Sequence, residues 1–389
     1  MTAIREHPEL RLPYELIPTN LPGAFTSPAP PSDFNPRTAS ASSLVKHGFL
    51  WRRPGKGDSP ALRGAWERLI RHWRAEDYLV PHLEPQAGKT HVLRGAKRAE
   101  DGSFQSSNWA GATVPGTWTS AIGVWVVPTV SQPLIPQGTE GGWNSSSWVG
   151  LDGAYGSDDV LQAGVEQRVS VNGGASYVAW FEWFAPIRPN SPPYVFQTNI
   201  SNFPVRPGDT VFCSVQYVGG HTAGDVFFAN FTTGQRFSIT LAPPPLATFS
   251  GNSAEWIMEA PDGGLPTSSL PTFSPVVFTD AFCCDAHQMT GNPAVGDIWN
   301  VVGFGKTLTS VTVGDLTCII EDPLATTVPD VFEMHVSYAT HAVHTAHLVP
   351  EFFGTATNHS WISSQSPPAG TTVDPGSTVK MHLSNITPP

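Results

Sequence analysis

Short runs in which apolar residues alternate with small or polar ones fill the middle of the chain. They lie at residues 123–127, 147–149, 177–184, 210–218, 226–231, 237–241 and 255–258, with Gly, Pro, Asn and Asp between them, as at Pro207-Gly208-Asp209 and Thr233-Gly234. A period of two sends successive side chains to opposite faces, so the pattern predicts an all-β, antiparallel sandwich. Ahead of it the period changes. Leu62, Trp66, Leu69, Ile70 and Trp73 recur at helical spacing, with Ser59 placed to cap and Pro60 suited to a first turn. This predicts a helix near residues 60–78, and its apolar stripe needs a surface to dock on, because an amphipathic helix cannot bury that stripe alone. Residues 1–58 show no sustained period and read as loop, 79–104 as a polar, basic connector. Near the end, residues 378–383 fit one strand. The chain therefore divides into a partly helical N-terminal extension (1–104), a sandwich (105–340) and a C-terminal tail (341–389).

Composition agrees with a turn-rich sheet protein: 38 Pro, 36 Gly and 13 Trp. Charged residues are scarce at 14% and unevenly placed. Residues 1–104 hold 15 Lys+Arg and 11 Asp+Glu, net +4; the remainder holds 6 and 21, net −15, giving the overall −11. A body with so few basic groups lacks the patch that a nucleic-acid partner requires. It also gains little self-repulsion once its carboxylates protonate, which suits work in acid. The basic extension should be drawn to this acidic body at neutral pH and released at about pH 3–4, where carboxylates titrate. No apolar run approaches the roughly 18 residues of a membrane span, and the N-terminus has no hydrophobic region of an ordinary secretory signal. Cys213, Cys283, Cys284 and Cys318 read as buried thiols or one or two bridges that the sequence does not assign.

The chemistry concentrates in Ala254-Glu255-Trp256-Ile257-Met258-Glu259 and Leu161-Gln162-Ala163-Gly164. In a strand, Glu255, Ile257 and Glu259 share one face. A carboxylate on a concave sheet face can take a proton from water, and a side-chain amide beside it can donate to a developing oxyanion. Together with Asn108-Trp109-Ala110-Gly111-Ala112, Ser147-Trp148-Val149-Gly150-Leu151-Asp152-Gly153 and Ala179-Trp180-Phe181-Glu182-Trp183-Phe184, these segments appear in an ordered series. In that series the chain resembles the glutamic peptidases (the eqolisins, or fungal pepstatin-insensitive acid proteases), over a span of about residues 105–340.

The resemblance implies a concanavalin-like β-sandwich of jelly-roll type and an acid endopeptidase, monomeric and extracellular, acting on protein or peptide substrates without cofactor or metal. It implies that Glu255 activates the attacking water and later protonates the leaving amine, while Gln162 steadies the oxyanion. Trp109, Trp148 and Trp180 would line the cleft with Glu182 and Phe184, Asp152 would shape it from a turn, and residues 1–104 would act like a pro-region. The family usually has Tyr where Phe184 stands and Asp where Glu166 stands. Two other readings use the same architecture: a glycoside hydrolase with Glu182 and Glu255 as its carboxylate pair, or a lectin-like module with the Trp residues as a sugar platform. His335, His341, His344 and His347 lie at spacings that suit a metal only on a helix, and no His-Glu-x-x-His motif accompanies them.

Overall fold

A computed structural model of the protein describes residues 15–49, 53–71, 73–133, 142–218, 222–261, 270–303, 306–323, 326–346, 348–355, 357, 359–373 and 377–385. Its helices are α1 (Ala41–Lys46), α2 (Pro60–Arg71) and α3 (Val336–Thr345). Early strands are β1 (Ala24–Thr26), β2 (Leu83–Pro85), β3 (Trp109–Pro115), β4 (Trp118–Val126), β5 (Trp143–Asp152), β6 (Val160–Val169), β7 (Ala175–Phe184) and β8 (Thr198–Ile200). Then come β9 (Thr210–Val218), β10 (Ala223–Asn230), β11 (Arg236–Leu241), β12 (Ser253–Glu259), β13 (Val276–Asp285), β14 (Asp297–Gly303), β15 (Ser310–Gly314) and β16 (Thr317–Glu321). The last are β17 (Val349–Phe353), β18 (Trp361–Ser366) and β19 (Thr378–Ser384).

Two antiparallel sheets carry the fold. One runs β1-β11-β10-β9-β4-β13-β16-β15 and the other β2-β8-β7-β6-β5-β12-β3-β14. The alternation in the sequence sets which side chains meet between them. From the second sheet, Leu161, Ala163 and Val165 of β6 and Ala254, Trp256 and Met258 of β12 enter a common core with Val211, Cys213 and Val215 of β9. The intervening residues of β6 and β12, Gln162, Gly164, Glu166, Glu255, Ile257 and Glu259, therefore line the opposite face of that sheet. All four cysteines are buried free thiols, so no bridge staples the sandwich.

The N-terminal extension is built into both sheets. β1 pairs with β11 at one edge, and β2 pairs with β8 at another. Helix α2 begins at Pro60 with the Ser59 hydroxyl accepting from the Leu62 amide, as the sequence predicts, and stops at Arg71, short of 78. Its stripe of Leu62, Trp66, Leu69 and Ile70 covers the outer face of the first sheet, against Ile122, Phe212, Phe227 and Phe282. Residues 15–49, read as loop, contain β1 and α1. The reason is that these short elements borrow partners from the sandwich and carry no period of their own.

At the other end, α3, β17, β18 and β19 gather around a separate cluster that includes Val331, Ala339, Val343, Ile362, Val379 and Met381. The expected boundary at 340 falls inside α3. His335 caps that helix and His341 and His344 lie on it, while His347 lies outside the described residues. Among the described residues no three His, Cys, Asp or Glu are placed to hold a metal ion, and no helix is long and apolar enough to cross a membrane.

Candidate active site

Register brings the two chemical groups into one row. Glu255 on β12 pairs with Gly150 on β5, Gly150 pairs with Gln162 on β6, and Gln162 pairs with Glu182 on β7. Paired residues of neighbouring strands face the same way, so all four side positions share the face of that sheet turned away from the common core. Gly150 leaves the gap. A Cβ there would stand 2.7 Å from Glu255 Oε2, so that oxygen lies over the glycine and leans toward Gln162.

Each group is fixed from one side and open on the other. The Ser253 hydroxyl donates to Glu255 Oε1 at 2.5 Å, whereas the buried Oε2 has no partner. Gln162 Nε2 donates to Glu182 Oε2 at 2.8 Å and to the backbone oxygen of His91 at 3.1 Å, leaving Oε1 buried without a partner. Burial pushes the Glu255 carboxyl well above the usual range; the Ser253 hydroxyl opposes this and the Asp152 charge adds to it. Burial likewise pushes Glu182 up to about 8, against the pull of His91. Both carboxyls are therefore neutral in acid.

The aromatic residues named from the sequence form the floor. Trp109, Trp148 and Trp180 are fully buried and cluster with Ile257 and Ala154, Trp109 meeting Trp148 edge-on at 4.8 Å. Phe184, half-buried, follows Glu182 on the same face. Asp152 has another task. Its oxygens accept from Tyr217 Oη, Ser250 Oγ and the amides of Gly251 and Asn252, so it anchors the loop leading into β12 and has no oxygen turned to a substrate.

Residues 86–94, within the basic connector, lie across this face. After β2 the chain turns at Gly88 and crosses the strands toward the start of β3. Lys89 forms an ion pair with buried Glu166, which also binds Arg168. The His91 amide donates to Glu182 Oε2, and its ring stacks on Trp180 at 3.8 Å and 7°. Ring Nδ1 meets Glu259 Oε2 at 2.9 Å and Nε2 meets Gln197 Oε1 at 2.7 Å. Because Gln197 Nε2 already serves Glu166 and Asn199 Oδ1, its oxygen must face the ring, and both ring nitrogens donate. Burial alone would lower the His91 pKa; Glu259 overcomes this and raises it. Beyond, Leu93 packs on the Trp cluster and the Asn108 amide accepts from Arg94 and donates to the Val92 oxygen. This stretch belongs to the basic connector that charge draws toward the body, whereas helix α2, basic as well, sits on the other sheet.

The peptidase A4 family profile matches residues 107–321, and the PASTA domain profile matches residues 326–385. Aspergillopepsin-2 of Aspergillus niger is 29% identical over 222 residues, covering 54% of this chain and 74% of that protein. Scytalidopepsin B of Scytalidium lignicola is 28% identical over 182 residues, covering 45% of this chain and 62% of that protein. Among solved structures, scytalido-glutamic peptidase with a transition state analog inhibitor matches with a TM-score of 0.45 at 23% identity, over 55% of this chain and 98% of that one. Aspergilloglutamic peptidase from Aspergillus niger matches with a TM-score of 0.41 at 26% identity, over 46% and 99%. With a profile that spans more than half of its length, the chain belongs to the peptidase A4 family, the glutamic endopeptidases.

Proposed function

We propose that this protein hydrolyses peptide bonds in acid through Glu255 and Gln162. The observation that supports the reading is the row itself: a buried carboxyl oxygen over Gly150, and beside it an amide that already holds a peptide carbonyl. Glu255, neutral in acid, takes a proton from water on one oxygen and passes its own from the other to the substrate carbonyl oxygen. The water oxygen bonds to the carbonyl carbon, giving a neutral diol. Gln162 Nε2, held in place by Glu182, steadies the charge that builds on the carbonyl oxygen during this step. In the second half Glu255 protonates the leaving nitrogen and recovers a proton from the diol as the C–N bond breaks. One water is consumed and Glu255 ends as it began.

The substrates are proteins or peptides, lying across the strands over the Trp floor, with residues 86–94 as the resident occupant of a latent form. We place this work outside the cell on family grounds. The domains are then a sandwich that includes the extension and a separate C-terminal unit over about 326–385. The deciding experiment is Glu255→Gln, which keeps shape and removes the carboxyl's proton exchange. Casein digestion in acid should fall by on the order of 100- to 10,000-fold with thermal unfolding unchanged. Digestion at the wild-type rate would end the assignment, and sugar release from oligosaccharides dependent on Glu182 would favour a glycosidase.

A further inference from the structure

The segment over the cleft lies there as a substrate would. Its His91 carbonyl accepts from Gln162 Nε2, the donor assigned above to the oxyanion, and the bond that follows that carbonyl joins His91 to Val92. The chain is gripped on both sides of this bond. On the N-terminal side, Glu182 holds the His91 amide, Glu259, Gln197 and Trp180 hold its ring, and Lys89 is paired with Glu166. On the C-terminal side, Asn108 holds the Val92 oxygen and the Arg94 amide. A peptide fixed at both ends, with its carbonyl on Gln162, has already given up the freedom that a bimolecular substrate must lose.

Acid does not loosen this grip. Burial would raise Glu166, but Lys89 and Arg168 outweigh it and hold its pKa at about 2. A depressed carboxylate contributes fully above its unfolded value of 4.5 and loses that contribution only as pH falls through about 2. Against burial, Glu259 raises His91, so its contribution is present below the unfolded 6.5 and is lost as pH rises through the higher folded value. At pH 3–4 Glu166 is still ionised beside Lys89, so charge alone does not clear this segment from the cleft.

We infer that the His91–Val92 peptide bond is the first bond this enzyme hydrolyses, within its own chain. The inference rests on the Glu255 and Gln162 reading. Water adds to the His91 carbonyl carbon, the C–N bond breaks, and Glu255 delivers the proton to the Val92 nitrogen. A carboxyl at His91 and an amine at Val92 result, and the two ends are free to leave the floor.

The test uses the full chain in acid at two concentrations, read by intact mass and by sequencing of new N-termini, with casein digestion followed in parallel. The expected result is a new N-terminus at Val92, formed at a rate independent of dilution, with a lag in casein digestion that ends as it appears. Glu255→Gln should stay whole, and Val92→Pro should stay whole and latent. A wild-type chain that digests casein while residues 91 and 92 remain joined, or whose first cut lies elsewhere, overturns the inference and leaves the dyad standing. Casein digestion by Glu255→Gln would instead sink the dyad.

Discussion

Replacing Gly150 with Ala should disable the enzyme without unfolding it. The added Cβ would stand 2.7 Å from Glu255 Oε2 and 2.8 Å from Trp148 Cζ3. Ordinary contact begins at 3.4 Å, so the carboxyl must retreat by roughly 0.7 Å. Gly150 is not among the glycines with positive φ, so Ala brings no backbone strain there. A misplacement of about 1 Å costs on the order of 100-fold in rate, so kcat should fall by roughly 10- to 100-fold with KM changed little. Overpacking costs about 1–3 kcal/mol, and the upper end applies because the buried Trp148 ring cannot swing away. The assay is kcat and KM on a fluorogenic peptide after acid incubation, with thermal unfolding alongside. A kcat within about twofold of wild type would refute the claim that Oε2 works from its place over Gly150. Gly164→Ala is the contrast, since its Cβ would meet the Ser147 backbone oxygen at 2.2 Å and should damage the fold itself.

Gln162→Ala should lower kcat by on the order of 100- to 1000-fold, measured on the same peptide, because one oxyanion donor is lost. The pH profile follows from Glu255, whose neutral form persists above the ordinary carboxyl range. Self-cleavage of the closed chain should be level in acid and decline as pH rises through that raised value; a rate that climbs with pH from about 3 would assign the ionised form instead. Trp66→Ala should cost about 3–5 kcal/mol in unfolding measurements through loss of the α2 contact. A negligible change there would mean that α2 does not hold the first sheet.

The strands were legible because each alternates, and alternation alone assigns Glu255 and Ile257 to one face and Trp256 and Met258 to the other. The pairing of β5 with both β6 and β12, which sets Glu255 across Gly150 from Gln162, needs tertiary register that no single strand encodes. Motif order supplied the residues, and only the fold supplied the gap. Charge drew the basic connector toward the body, but the path of residues 86–94 was not legible, because a segment that takes its hydrogen bonds from a cleft needs no periodicity of its own. The elements of the C-terminal cluster were hard to read for a related reason. β17 and β18 are short and largely exposed, and two residues of α3, Ala339 and Val343, are buried, too few to announce an amphipathic stripe.

The weaving of the N-terminal extension into both sheets gives the enzyme a one-way history. A cut after His91 leaves β1, α2 and β2 on a separate polypeptide, held to the body by strand pairing and by the apolar cover over Phe212, Phe227 and Phe282. Folding of the uncut chain is a unimolecular event, whereas recovery of the cut form requires two pieces to find each other. That adds an association entropy cost of several kcal/mol, roughly 4–15, and makes recovery depend on concentration. Denaturation of the processed enzyme should therefore be poorly reversible at dilution, so its lifetime is governed by the unfolding rate.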